Sequence, residues 1–344
     1  MIVKRAMLNR LSKSIAIAAA IFAAQPAFAQ DMSFDSYVQL LMAKARAQGV
    51  SEGTIARMTA GLEPNRRVIE LDQAQPGSPT RSGYPPLSDY IARHVDQARI
   101  VPGRREYASA RGTLSAIERE YGVPGEILVA IWGHETAYGN VRGGFDLSQA
   151  LATLAWEGRR RDLFEGEFLA LLKVADRGYS RSELQGSWAG AFGNPQFLPS
   201  VYLRLAADGD GDGAANIFTN RADTLASIAN YFRDAGWRTG QPWGVSASVP
   251  RGFDTASVST ELVAPVCARV HERHSQFKTV AEWRELGVQP LRPLAETTLV
   301  SLFQPDGPGT PAWLLTSNYR VILEYNCSNY YAMSVGLLAD EINR

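Results

Sequence analysis

One glutamate, Glu135, closes an apolar run in the stretch LVAIWGHETAYGN, residues 128–140. At helical spacing Leu128, Ile131 and Trp132 stand seven, four and three residues before it, on one face. A carboxyl on such a face loses hydration, so its proton is held more tightly and it can act as a general acid near neutral pH. A carboxylic acid of that kind beside aromatic side chains can protonate a glycosidic oxygen. The competing reading, a glutamate at a helix end facing solvent or an arginine, does not explain the apolar face. A zinc site does not explain it either. His134-Glu135 opens like a zinc-protease motif, but the second imidazole belongs four residues on, where the chain has Tyr138. The other histidines are His94, His271 and His274; the last two, in HERH, read as solvated surface.

A second group of carboxylates has metal-binding spacing. Asp208, Asp210 and Asp212 alternate with glycine, and Gly213 follows at the sixth position. This matches the first half of an EF-hand loop, with the Ala214 carbonyl and Asn216 at positions seven and nine. Position twelve is Thr219 instead of glutamate, and the nearest later acid is Asp223. A structural calcium ion is the expected ligand, against the alternative of a solvated Asp-Gly turn. The missing glutamate disfavours a calcium sensor.

The elements that must position these groups are mostly helical. Helical periodicity covers 30–61 and 88–121, and a new helix opens after Gly122, with Pro124 suited to its first turn. Further helices are read in DLSQALATLAWEG, RDLFEGEFLALLKVADRG and DTLASIANYFRDAGW. The Pro-, Gly- and Ser-rich segment from Glu63 to Ser88 reads as a loop, and GSWAGAFGNPQFLPSVYLRLAADGDGDGAANIFTN as a structured loop region. PWGVSASVP, ASVSTELVAP and TTLVSLFQ read as strands around a short helix in TVAEWRELG. The fold class is α+β: a mainly helical body with a small strand-containing subdomain. The expected division is 1–29, 30–120, 121–240, 241–316 and 317–344, the last segment returning to the core.

Residues 1–29 have the form of a secretory signal peptide. Lys4, Arg5, Arg10 and Lys13 precede the apolar run IAIAAAIFAA, and AFA precedes a cut after Ala29. No cysteine stands there to carry a lipid anchor, and no later stretch is apolar enough for a transmembrane helix. The expected location is the periplasm. Removing the four basic leader residues leaves 31 Lys and Arg against 35 Asp and Glu, a net charge of −4 without a basic block, which argues against nucleic acid as a partner. Cys267 and Cys327, in an oxidising compartment, are either a disulfide or two buried thiols.

The motifs ILVAIWGHETAYG, LATLAWEGRRRDLFEGE, GSWAGAFGNPQFLPSVY, DGDGDGAANIF, SIANYFRDAGW and VILEYNCSNYYAMSVGLLADEI together resemble the membrane-bound lytic transglycosylase B family, over residues 33–342. The resemblance implies a lysozyme-like core acting on peptidoglycan glycan strands, with Glu135 as the one catalytic acid and base. That acid would protonate the oxygen between N-acetylmuramic acid and N-acetylglucosamine, then take the proton of the muramyl 6-hydroxyl, closing a 1,6-anhydro ring with no catalytic cofactor and no water consumed. A second carboxylate, which ordinary glycosidases need, is then supplied by the substrate's own groups, and Asp146 and Asp162 read as caps or surface charges. It also implies Ser187, Gln196, Tyr325, Asn326 and Tyr330 or Tyr331 as sugar-cleft residues. Arg159 and Arg160 match an arginine pair near the cleft, with anionic lactyl or peptide groups as partners, against the alternative of an exposed pair. The metal loop would end at the delayed Asp223. A hydrolytic muramidase and a catalytically silent peptidoglycan-binding protein are the competing functions.

Overall fold

The structure is a computed structural model and describes residues 32–75, 85–259, 267–271 and 273–344. The leader read at 1–29 lies outside the described residues. The helices are α1 (Phe34–Ala47), α2 (Glu52–Thr59), α3 (Arg66–Gln73), α4 (Leu87–His94), α5 (Gln97–Ser109), α6 (Arg111–Tyr121), α7 (Gly125–Thr136), α8 (Leu147–Glu157), α9 (Arg161–Asp176), α10 (Pro199–Leu205), α11 (Arg221–Asp234), α12 (Ala268–His271), α13 (Val280–Glu285), α14 (Ser317–Tyr325) and α15 (Asn329–Ile342). The strands are β1 (Phe145–Asp146), β2 (Gln185–Gly186), β3 (Gly244–Ser248), β4 (Phe277–Thr279), β5 (Gln289–Pro290), β6 (Leu299–Phe303) and β7 (Ala312–Leu315).

Local chemistry fixes many of the helix ends. Ser33, Ser51, Asn65, Asp96, Asp146, Asn220 and Ser328 each accept a backbone N–H of the turn they open. Asp146 is therefore a cap, as its context suggested. Gly122 ends α6 in the left-handed conformation, at φ 75°. Pro124 stands one place earlier than expected, as the residue before α7. Two helices were hidden in segments that read as loops. In α3 only Val68 and Asp72 are buried, too few apolar residues to show a period. In α10, Pro199 pre-sets the first turn of a seven-residue helix.

α7 is apolar on every side, and Ile127 through Gly133 are all buried. A helix of that composition must be central, and α5, α6, α11 and α15 pack around it. A second core joins α1 and α2 to α8 and α9 and to Phe192, Phe197 and Ile217 from the intervening loops. The small sheet has strand order β4-β6-β7-β3-β5, all antiparallel. Its alternation serves two cores at once. Val300, Leu302 and Leu314 face a core of their own with Val280 and Trp283, while Phe303 and Leu315 point into the helical core beside Tyr319. The sheet is thereby fastened to the body that carries α7. The strand read in ASVSTELVAP is replaced, over Thr255–Val258, by a 3-10 turn; residues 260–266 are outside the described part.

Candidate active site

Glu135 lies in the last turn of α7, and the backbone leaves that helix through Ala137, Tyr138 and Gly139 at φ 48°, 59° and 89°. For the two non-glycine residues this region is costly, about 1–2 kcal/mol each. Tyr138 is held there by its surroundings. Its Oη donates to the Arg99 carbonyl at 2.7 Å, and its ring covers Gly133, where a Cβ would stand 2.6 Å from the ring. Thr136 Oγ1 donates to the Asn194 carbonyl at 3.1 Å and accepts the Gly139 N–H at 3.1 Å. Asn194, itself buried, donates to Thr224 Oγ1 at 3.2 Å. Thr136 and Asn194 were not singled out from the sequence; an Asn-Pro step inside the Gly- and aromatic-rich loop was the only signal. They tie the 186–197 loop to the end of the helix that carries Glu135.

That loop is rigid in itself. Ser187 N–H donates to the Ala191 carbonyl, and Ser187 Oγ accepts the Ala191 N–H at 3.0 Å. A Cβ on Gly186 would meet the Ala191 carbonyl at 2.2 Å, so the turn requires glycine there. Gln196 sits at φ 50° and donates from Nε2 to the Gly193 carbonyl at 2.9 Å.

Two further segments close on the carboxyl. From the first turn of α15, Tyr331 Oη donates to Glu135 Oε1 at 2.6 Å. From the end of α14, Tyr325 Oη donates to the Pro195 carbonyl at 2.6 Å, pinning the loop. Tyr325 ends α14 and Asn326 is its C-cap, where it is exposed. Tyr330 reaches the Pro85 carbonyl. Cys267 and Cys327 are bonded, with Cα atoms 5.2 Å apart, which ties the end of α14 to the segment before α12.

Burial raises the Glu135 pKa from 4.5 to about 7, and the Tyr331 hydrogen bond opposes it. No other carboxylate among the described residues bears on that proton. Burial also lowers His134 to about 4, so its imidazole is neutral, and it joins no metal-ligand cluster among the described residues. The HERH pair is not on the surface. His271 and His274 are both buried, and His274 Nε2 is 2.8 Å from Asn329 Oδ1. Asn329 also donates to the Val270 carbonyl at 2.8 Å. His274 and the Val270 carbonyl thus brace the start of α15, two residues before Tyr331.

The arginine pair has an internal partner in place of a ligand. Asp72, 1% exposed, accepts Arg159 Nε at 2.6 Å, Arg159 Nη2 at 2.6 Å and Arg160 Nη2 at 2.5 Å. Hydrogen bonds from Arg159 hold its carboxyl below the usual range. An anion of the protein's own, on a helix that read as loop, thus meets both arginines. Breaking a buried pair leaves an uncompensated charge. Replacing both arginines with Leu is therefore expected to lower the midpoint of a denaturant melt at pH 7. A depressed carboxylate stabilises above its unfolded pKa and loses this as pH falls through the lower folded value, so the difference should shrink in acid. An unchanged midpoint at pH 7 would contradict the assignment.

In the 208–223 loop, Asp208, Asp210 and Asp212 are exposed and bring carboxylate oxygens within 4.8 Å of one another. Asp208 accepts the N–H groups of Gly211, Asp212 and Gly213. Asp223 is not part of this cluster: it is fully buried and accepts Gly209 N–H at 2.8 Å and Asn216 N–H at 2.7 Å. It closes the two ends of the loop from the first turn of α11. Asn216 Oδ1 accepts from Phe218 and Thr219 N–H, and Ala214 N–H donates to Asp212.

One half-buried carboxyl with its pKa raised to about 7, at the end of a core helix and hydrogen-bonded by a tyrosine from a later helix, is the arrangement of a lysozyme-like glycan-cleaving enzyme. The comparisons with known proteins agree. A family model described as Transglycosylase SLT domain matches residues 33–340. The membrane-bound lytic murein transglycosylase B of Escherichia coli K12 is 36% identical over 77% of this chain and 71% of its own. The crystal structure of SltB3 from Pseudomonas aeruginosa in complex with NAG-anhNAM-pentapeptide superposes with a TM-score of 0.81 at 36% identity, covering 91% of this chain and 80% of that one. The Escherichia coli lytic transglycosylase Slt35 in complex with calcium superposes with a TM-score of 0.73 at 28% identity, over 89% and 92% of the two chains. The chain belongs to the SLT-domain transglycosylase family and is a lytic murein transglycosylase.

Proposed function

We propose that Glu135 alone performs both proton transfers of a non-hydrolytic cleavage between N-acetylmuramic acid and N-acetylglucosamine. The observation that carries this is one carboxyl at the end of the core helix, held by Tyr331 Oη at 2.6 Å, with burial raising its pKa to about 7 and no second described carboxylate acting on it. Its proton goes to the glycosidic oxygen as the muramyl C1–O bond breaks, and the N-acetylglucosamine leaves with a free 4-hydroxyl. The N-acetyl group of the muramyl sugar carries the positive charge that develops at C1. The Glu135 carboxylate then removes the 6-hydroxyl proton, and O6 bonds to C1 to give the 1,6-anhydro ring. The acid is restored and no water is consumed. Tyr331 aims the carboxyl. Ser187, Gln196, Tyr325, Asn326 and Tyr330 form the sugar-binding surface around it, with aromatic faces for sugar rings. Mass spectrometry of peptidoglycan digested by wild type and Glu135→Gln tests this. Anhydro products from wild type and none from the variant are expected; reducing-end products would favour a hydrolytic muramidase.

The Asp208, Asp210 and Asp212 cluster fits a calcium ion: three hard oxygen donors converge, and none is paired with a described Lys or Arg. The Ala214 carbonyl and Asn216 stand at the next loop positions, with Asp223 bracing the loop. The ion would neutralise the three carboxylates and stiffen the connection between α10 and α11; no chemical step runs through it. Calcium at 100 times its Kd should stabilise the protein by about 2.7 kcal/mol, read as a rise in Tm that a chelator reverses. Asp208→Asn with Asp210→Asn should abolish the rise. A Tm indifferent to calcium in wild type would remove the site.

The leader read in residues 1–29 supports a periplasmic location for this activity, where the glycan lies. Among the described residues no helix is long and apolar enough to cross a membrane.

A further inference from the structure

A cavity of about 620 Å³ lies where the helical body meets the five-stranded sheet. Arg320 and Ser317 enter it from the first half of α14, Phe277 from β4, Arg238 and Gln241 from the turn after α11, and Thr298 from the turn before β6. No Asp or Glu is among its described lining residues, although the chain without its leader is acidic overall.

The walls are fixed in place. Asn318 is fully buried. Its Oδ1 accepts Arg238 N–H at 2.8 Å, and its Nδ2 donates to the carbonyls of Arg238 at 2.9 Å and Gln241 at 2.6 Å. Thr316 Oγ1 donates to the Pro242 carbonyl at 2.6 Å. The Arg320 guanidinium lies over the Phe277 ring, 4.5 Å from its centroid. Its Nε is buried with no hydrogen-bond partner among the described residues, and so is Ser317 Oγ. Neither Arg320 nor Arg238 forms an ion pair with a described carboxylate. Burial lowers the Arg320 pKa, a sign that its charge is partly desolvated, and Glu324, one turn on, is the charge that opposes this. Two arginines, one of them partly desolvated, and the positive end of a nine-residue helix thus line a cavity without a described carboxylate.

We propose that this cavity is a subsite for a carboxylate, the free C-terminal carboxyl of a peptidoglycan stem peptide. The cavity is far larger than one oxyanion, and Phe277, Leu294 and Leu299 give it an apolar wall for the residues that precede the carboxyl. Its position fits. Ser317 and Tyr325 are the two ends of α14, about 12 Å apart at 1.5 Å per residue. A five-residue peptide extends over about 17 Å, long enough to reach from a sugar near Tyr325 to the cavity. The choice of a stem peptide rests on the peptidoglycan reading above; the anion-binding geometry does not.

The test is calorimetric titration of the full chain with three probes: a stem pentapeptide ending in a free carboxylate, the same peptide as its C-terminal amide, and inorganic phosphate. The acid should bind about tenfold more tightly than the amide, as expected for loss of one charge-assisted bidentate contact. Arg238→Gln, at an exposed position, should weaken the acid form by a similar factor and leave the amide unchanged. Arg320→Gln should do the same if its melt shows it folded. Equal binding of acid and amide, no binding, or an unchanged affinity in Arg238→Gln would overturn the proposal. Phosphate binding as tightly as the peptide would reassign the cavity to free anions and overturn the peptide assignment. Glu135→Gln should bind the peptide as wild type does. If that variant still cleaved glycan, the catalytic reading would fail while the titration judged the cavity separately.

Discussion

Glu135→Gln is expected to lower the rate of peptidoglycan solubilisation by about 10³-fold or more, because the group to which the proposed mechanism assigns both proton transfers is gone. The fold should survive, since Gln fits the same space and can still accept from Tyr331. Stability should rise, with a definite pH dependence. The Glu135 pKa is raised from 4.5 to about 7 in the folded chain. Below the unfolded value the carboxyl is neutral in both states and the variant gains little. As pH climbs through about 7, the wild-type protein must bury a charge or hold its proton against solvent, so stability is lost. A shift of this size corresponds to about 3 kcal/mol at most, and partial exposure of the residue reduces it to about 2 kcal/mol. A melt at pH 8 should therefore show Glu135→Gln more stable than wild type, and a melt at pH 4 should show them nearly equal. Equal stability at both pH values would mean that the carboxyl is solvated in the free enzyme.

Tyr331→Phe should separate the aiming of the acid from its chemistry. The 2.6 Å hydrogen bond from Tyr331 favours the ionised carboxylate, so removing it leaves burial unopposed and moves the Glu135 pKa up. The alkaline limb of the kcat/KM profile, set by loss of the acid form in the free enzyme, should move to higher pH. The rate at its optimum should fall by about 10- to 100-fold, the equivalent of a hydrogen bond to a charged group worth about 1.5–3 kcal/mol. A purely structural role would lower the rate without moving the limb. A limb that moves to lower pH would contradict the geometry.

The desolvated carboxyl was legible because its information is local: three apolar residues at helical spacing before Glu135 predict a dry carboxyl. The tyrosine that aims it lies 196 residues later, and only the packing of α15 against α7 reveals that role. The arginine pair shows the opposite failure. Arg159 and Arg160 read as ligand groups because their acceptor, Asp72, belongs to a helix with almost no apolar periodicity. His271 and His274 read as solvated because polar neighbours in HERH hide that Phe303 and Tyr319 pack on His274. Asp223 illustrates a subtler limit. Spacing places it at the end of the metal loop, but two backbone N–H groups already occupy its carboxylate. The TTLVSLFQ run of β6 was readable as strand; β7, Ala312–Leu315, was not read as one, and the service of both to two cores was hidden, since period two alone does not say what covers each face.

The nucleophile that closes on C1 belongs either to the substrate or to water. Digestion of purified glycan strands in water enriched in heavy oxygen, followed by mass spectrometry of the muramyl ends, answers this directly. A 1,6-anhydro end lighter than the hydrolysed sugar by one water, with no heavy oxygen incorporated, is the predicted result. A reducing muramyl end carrying the heavy oxygen would contradict it and would call for a water-activating group that Glu135 alone does not provide.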